Sequence, residues 1–227
     1  MVKTGADEAC RPVSGIVAET RLAGRITGQT AAYQTAADRV PHPAGRIYRP
    51  EPGLVRARRA AIAIGMRSYF YAIGLGSNRR HGRHGAPASV VRAAIAALDR
   101  CDIRVTAVSP VITTPALGPA GRSFANAAVM VETCLDPPIL LDRIKAIEAA
   151  FGRRRGRRWG PRVIDLDILL WSEGAYRGGR RLSVPHRCVQ LRDFVLKPLV
   201  ALAADWRVGP GALTVRHARR RLIRRAG

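Results

Sequence analysis

This chain of 227 residues is short of three things, and each shortage narrows what it can be. Long apolar runs are missing: no stretch approaches the ~18 consecutive apolar residues of a bilayer span, so a helical membrane span is excluded. Cysteine is sparse; Cys10, Cys101, Cys134 and Cys188 lie far apart with no C-x-x-C pair. A chain of this size needs no staples, so reduced thiols in a cytosolic protein are the expectation. Lysine is nearly absent: Lys3, Lys145 and Lys197 are three of 39 basic residues, and the other 36 are arginines. Against them stand only 16 acids, which gives a net charge of +23. Such an excess either builds a polyanion-binding surface or reflects an arginine-rich composition spread over solvated faces. At 47% hydrophobic and 24% charged residues, the mixture is that of a globular protein and excludes a fully disordered chain.

Composition divides the chain. Residues 1–66 are rich in Ala, Gly, Pro and Arg, and Val40–Gly53 holds four prolines in fourteen residues. No apolar periodicity survives there. The expectation is a disordered extension, or a start of translation at Met66, rather than a domain. A secretory signal lacks its apolar core, and Asp7, Glu8 and Glu19 argue against a transit peptide. A domain is expected over 67–210, followed by a basic tail over 211–227.

From Tyr69 the pattern turns regular. YFYAIGLGSN reads as a buried strand ending in a Gly-x-Gly-Ser-Asn turn, and Pro87 opens the helical ASVVRAAIAALDR. IRVTAVSP is a strand, TTPALGPAGRS a loop and FANAAVMVET a further strand. Asp136 is placed to cap the helix PPILLDRIKAIEAAFG, after which an arginine loop leads to the strand VIDLDILLW. The order is β-α-β-β-α-β, the split arrangement of a ferredoxin-like α/β sheet (α+β) with two helices on one face. A short strand near RRLSV and a helix near DFVLKPLVALAAD complete the domain.

The sharpest chemical feature is Asp165-Leu166-Asp167. Residues two apart on a strand share a face, with Cα atoms about 6.5–7 Å apart. Two carboxylates so placed raise each other's pKa unless a cation intervenes. Mg²⁺ suits them, because it takes one or two carboxylates plus phosphate oxygens; a salt bridge to nearby arginines is the plainer reading. Those arginines are Arg153, Arg154, Arg155, Arg157, Arg158 and Arg162, flanked by Gly152 and Gly156. Guanidiniums fork onto phosphate, so a polyphosphate or a nucleic-acid backbone fits this loop. A second cluster is Val184-Pro185-His186, with Arg192 after it and Arg181 and Ser183 before it. In a third, around Thr113–Gly118, Asn126 offers two donors and an acceptor for a heterocycle edge, and Phe124 and Phe194 offer stacking faces or plain core packing. The Gly74-Leu75-Gly76 segment lacks the Walker lysine and dinucleotide spacing, so it is given no phosphate role.

Together these strings resemble the 6-hydroxymethyl-7,8-dihydropterin pyrophosphokinases of folate biosynthesis. The likeness runs from YAIGLGSN through TTPALGP and FANAAV to RWGPRVIDLDIL and VPHRCVQLRDF, about Tyr69 to Trp206. It implies a ferredoxin-like α/β fold, a cytoplasmic monomeric enzyme, and transfer of pyrophosphate from ATP to the pterin with release of AMP. It also implies two Mg²⁺ per ATP, held by Asp165 and Asp167. Arg153 and Arg162 would meet the phosphates during transfer. Glu148, Trp159, Ile168, Arg181, Ser183, His186 and Arg192 would surround ATP. Thr114, Leu117, Gly118, Phe124, Asn126 and Phe194 would receive the pterin. Departures from the family pattern are Ala116 for a second proline, Phe124 for a tyrosine, Arg187 after the histidine and Lys145 for a glutamine. The arginine loop is also one residue short.

Two other classes compete. A nucleic-acid-binding module would grip through the tail RHARRRLIRR and the N-terminal extension. The near-absence of lysine and of interleaved aromatics weighs against nucleic acid as its partner. A Mg²⁺-dependent phosphodiesterase would use the same aspartates but hydrolyse its substrate; Asn126 and the two phenylalanines favour a flat acceptor over water.

Overall fold

The computed structural model describes residues 67–99, 102–115, 122–152, 163–209 and 211–226. Its elements run β1 (Tyr69–Ser77), α1 (Pro87–Leu98), β2 (Ile103–Val108), β3 (Ile112–Thr114), β4 (Phe124–Thr133), α2 (Pro137–Ala150) and β5 (Asp165–Trp171). Then follow β6 (Tyr176–Gly178), β7 (Leu182–Val184), a 3-10 turn (Val189–Leu191), α3 (Asp193–Ala203) and α4 (Val215–Ala226). No helix among the described residues is long and apolar enough to cross a membrane.

The sheet order is β2-β4-β1-β5, with every pair antiparallel. That is the order the split β-α-β-β-α-β arrangement requires, so the expected fold is the observed one. β4 is buried along nearly its whole length and reads FANAAVMVET, the continuous apolar run of a central strand covered on both faces. The interval before β4, expected as loop, contributes β3, which pairs Thr114 with Phe124 and Ile112 with Asn126. β2 and β3 thus share one edge of β4. Between them Ser109, fully buried, accepts the Ala128 N–H through its Oγ at 2.9 Å.

Strand alternation sorts the side chains onto two faces. Tyr71, Ile73 and Leu75 of β1, Val129 and Val131 of β4, and Leu166 and Ile168 of β5 pack under α1 and α2, against Val90, Ala94, Leu140 and Ile144. On the other face, Ala72, Ala128, Met130 and Leu169 pack against Leu196, Leu199 and Ala203 of α3 and Val215 and Ala218 of α4. The basic tail expected over 211–227 therefore carries a helix. Its Val215, Ala218 and Leu222 recur at helical spacing and form an apolar stripe that packs within this cluster.

α2 begins as expected, with Asp136 at the N-cap in extended backbone (φ −70°, ψ 163°) and proline next. The Asp136 side chain, however, makes no capping hydrogen bond. The helix stops at Gly152, whose φ of +80° is the left-handed conformation glycine adopts freely. β7 pairs with β6, a strand the sequence reading did not include.

Candidate active site

The second face of the sheet is only partly covered, and the aspartates lie at its other end. Asp165 pairs with Gly76 of β1, and Gly76 pairs in turn with Asn126 of β4. One step along, Asp167 pairs with Gly74, which pairs with Ala128. Directly opposed residues share a face, so both carboxylates and the Asn126 amide stand on the same side. With strands spaced about 4.8 Å apart, Asp165 and Asn126 flank a gap of about 10 Å whose middle residue is glycine. A β-carbon on Gly76 would come within 3.2 Å of Asn126 Oδ1, and one on Gly74 within 3.1 Å of Leu169 Cδ1.

These glycines lie inside β1, not in the turn expected there. A glycine within a strand marks a place where a ligand or another chain approaches the backbone closely. The two glycines of YAIGLGSN, inside an otherwise apolar strand, carry that signal in the sequence.

Asn126 is buried, and its Nδ2 donates to Thr114 Oγ1 at 2.8 Å, which fixes the amide plane. Phe124 opens β4 opposite Thr114 and is half-buried. Phe194, in the first turn of α3, lies under the Arg192 guanidinium, 5.7 Å from its ring centroid. α3 packs against β3 and β4, so both rings belong to adjoining elements.

The metal reading can be tested on the donor set. Asp165 and Asp167 are half-exposed, and no cluster of three or more His, Cys, Asp or Glu forms among the described residues. Two hard oxygen donors facing an open floor make a poor all-protein cage. They suit Mg²⁺, which keeps positions for water and substrate phosphate.

β5 is the edge strand, and Leu166 turns its N–H and C=O outward. Both are taken by one ion pair on α2. Glu148 Oε1 accepts the Leu166 N–H at 2.7 Å, and Lys145 Nζ donates to the Leu166 carbonyl at 2.8 Å. Lys145 also donates to Glu148 Oε1 at 2.7 Å and stands 3.8 Å from Asp167 Oδ1. The residue between the two aspartates is thereby clasped as if by another strand. Glu148, expected beside ATP, is fully buried, and these contacts make it a positioning residue for β5. Lys145, the departure expected on the nucleotide side in place of a glutamine, thus holds β5 together with Glu148 one turn on.

Other expected residues fall as follows. Ile168 is 2% exposed and packs its side chain under α1 and α2, because alternation turns it away from its neighbour Asp167, which leaves its backbone on edge strand β5 to face a nucleotide. His186 docks on β5 through its N–H, which donates to the Leu169 carbonyl at 2.9 Å. Its Nδ1 accepts from the Cys188 N–H at 3.3 Å, so a neutral ring carries its proton on Nε2. The Val184–Pro185 bond before it is cis. Ser183 Oγ donates to the Pro185 carbonyl at 3.4 Å. Arg181 is exposed and pairs with Asp142 on α2 at 3.4 Å. Arg153, Trp159, Arg162, Leu117 and Gly118 lie outside the described residues.

A family model described as 7,8-dihydro-6-hydroxymethylpterin-pyrophosphokinase (HPPK) matches residues 72–204, more than half the chain and all of the elements that form this site. The chain belongs to this family. A 2-amino-4-hydroxy-6-hydroxymethyldihydropteridine pyrophosphokinase of Methylorubrum extorquens is 45% identical over 148 residues, 64% of this chain and 89% of the relative. One of Pseudomonas aeruginosa is 43% identical over 141 residues, 61% of this chain and 83% of the relative. Among solved structures, wild-type Plasmodium falciparum HPPK-DHPS with pteroate superposes with a TM-score of 0.53 at 13% identity. That match covers 70% of this chain but 45% of the solved one, so this chain spans less than half of it. At that identity the likeness speaks to the fold alone.

Proposed function

We propose that this HPPK-family chain moves pyrophosphate from ATP to the hydroxymethyl group of 6-hydroxymethyl-7,8-dihydropterin and releases AMP. The observation that carries this reading is the row Asp165–Gly76–Asn126 across three neighbouring strands. It sets a phosphate-metal site and a heterocycle reader on one face, with a side-chain-free floor between them.

The pterin edge meets the Asn126 amide, which Thr114 holds in one orientation. Phe124 and Phe194 supply apolar faces for the ring, and the family resemblance adds Leu117 and Gly118 as pterin contacts. Asp165 and Asp167 would hold two Mg²⁺ ions, which would neutralise phosphate charge and stabilise the attacking and leaving oxygens. The His186 Nε2–H and the Arg192 guanidinium donate to phosphate oxygens, and Arg181 and Ser183 flank the nucleotide. The pterin hydroxyl oxygen forms a bond to the β-phosphorus and gives up its proton. The bond from that phosphorus to the oxygen bridging it to the α-phosphate breaks, and AMP departs with that oxygen. Little covalent work falls to the protein, so positioning and charge dominate. By the family resemblance, Arg153 and Arg162 would meet the phosphates during transfer and Trp159 would serve the nucleotide.

The deciding experiment measures AMP formed from ATP and Mg²⁺ with and without the pterin. Pterin-dependent AMP and a pyrophosphorylated pterin are expected. AMP made without pterin, with free pyrophosphate, would turn the assignment to a phosphodiesterase.

A further inference from the structure

Helix α4 lies beyond residue 204, where the family match ends, and supplies none of the residues assigned above. From Val215 to Ala226 it holds six arginines, one histidine and no acid. Two arginines anchor it across α3: Arg219 Nε donates to Asp193 at 2.9 Å, and Arg216 pairs with Asp205 at 3.5 Å. Arg220, Arg221, Arg224 and Arg225 are exposed and have no acidic partner among the described residues. At 100° per residue, Arg220, Arg224 and His217 point away from the buried Val215 and Ala218, and Arg221 flanks that face. These four side chains, with Ala212 and Leu213, line a groove of about 620 Å³.

Arg220 and Arg224, and Arg221 and Arg225, are like charges one turn apart, an arrangement that costs a helix about 0.2–0.5 kcal/mol per pair. Nothing described in the chain offsets it, whereas a row of phosphates would. Arginine also favours phosphodiesters over point anions, because its fork takes two oxygens and its plane stacks on bases. A lipid surface fits less well: a helix that lies in a membrane inserts an apolar face. Here that face is already packed on α3, and only Ile223, 51% exposed, is left outside. α4 has no Asn or Gln to read base edges.

We propose that the outer arginines of α4 and the groove beside them dock the phosphodiester backbone of single-stranded nucleic acid, without sequence preference. The scarcity of aromatics noted above bears on binding through base stacking; a backbone grip needs none.

The test is fluorescence anisotropy of a labelled 20-nucleotide oligothymidine with the full chain, across salt concentrations. Four arginine–phosphate contacts predict a slope of log affinity against log salt of about −3. Arg220→Ala/Arg221→Ala/Arg224→Ala should weaken binding at least tenfold and cut the slope by about 2, while pterin-dependent AMP formation continues. Removing the same charge elsewhere, with Arg92→Ala/Arg177→Ala/Arg180→Ala, should leave affinity within about twofold. The single Arg224→Ala, least able to disturb the fold, should cost about threefold. Equal losses in the two triple variants, no loss in the α4 triple, or displacement of the oligonucleotide by phosphatidylserine vesicles at equal phosphate would each overturn the proposal.

Discussion

The two faces of the sheet are built from the same strands yet solve different problems. Under α1 and α2 the inward positions carry mostly branched or aromatic side chains, with Ala125 and Ala127 of β4 as the small ones, and they form one buried cluster. On the other face the large residues stop at Leu169 and Met130, and beyond them come Gly74, Gly76, Asp165, Asp167 and Asn126. The lesson is that the site is a stretch of sheet left without core. Its rigidity comes from the opposite face and from the Lys145–Glu148 clasp, because it has no packing of its own.

This contrast is sharpest on β5, where adjacent residues serve opposite faces. Asp165→Ala or Asp167→Ala should cut the rate of pterin pyrophosphorylation by about 10²–10³-fold or more, on the scale of losing a key charge-stabilising group. The thermal midpoint should hold or rise, since removing one of two like charges relieves repulsion. Leu166→Ala, one residue away and fully buried, should instead lose about 2–5 kcal/mol of stability in urea melts. If Asp167→Ala kept near-normal turnover, the metal assignment would fail.

The clasp predicts an intermediate case. Glu148→Leu leaves the Leu166 N–H without its acceptor and Lys145 without its buried partner, at a cost of about 2–3 kcal/mol. Were Glu148 only structural, turnover of the folded fraction would be unchanged. As a positioning residue it should lower kcat with little change in the KM for ATP, and Glu148→Gln, which keeps the Oε1 acceptor, should restore most of it.

Much of this arrangement was legible in the chain. The alternation in VIDLDILLW put both aspartates on one face, and the apolar pattern of the paired strands and helices gave the sheet. Periodicity states which face a residue occupies but not which strand lies beside it. The adjacency of Asp165, Gly76 and Asn126, drawn from three distant segments, is a matter of register and could not be read there. α4 was missed as a packed helix because its charge outweighs a stripe of only three apolar residues. Alternation, applied one residue past Asp167, turns the Ile168 side chain into the core.

The floor between the carboxylates and Asn126 gives a subtler test. Gly76→Ala would set a methyl group 3.2 Å from Asn126 Oδ1, within the gap itself. The amide must give by a few tenths of an ångström and lose its alignment with Thr114. Pterin KM should rise about tenfold, the order that 1.4 kcal/mol represents, while ATP binding measured calorimetrically stays near normal. Equal weakening of both substrates would mean that the floor belongs to the nucleotide as much as to the pterin.

The closed face supplies the smallest expected effect. Asp99, just past α1, is 8% exposed, and its Oδ1 accepts the Val105 N–H at 2.9 Å. Burial pushes its carboxyl above the ordinary value, while that N–H and the Arg104 charge pull the other way. A carboxyl whose folded pKa is raised contributes stability that is fully present below its unfolded pKa, near 3.8. The contribution is lost as pH rises through the folded value. Asp99→Asn keeps the acceptor and never ionises. Its melting temperature relative to the parent should therefore climb as pH rises from 3.8 through the folded value. A flat difference between Asp99→Asn and the parent across that range would mean that burial on the closed face does not govern this carboxyl.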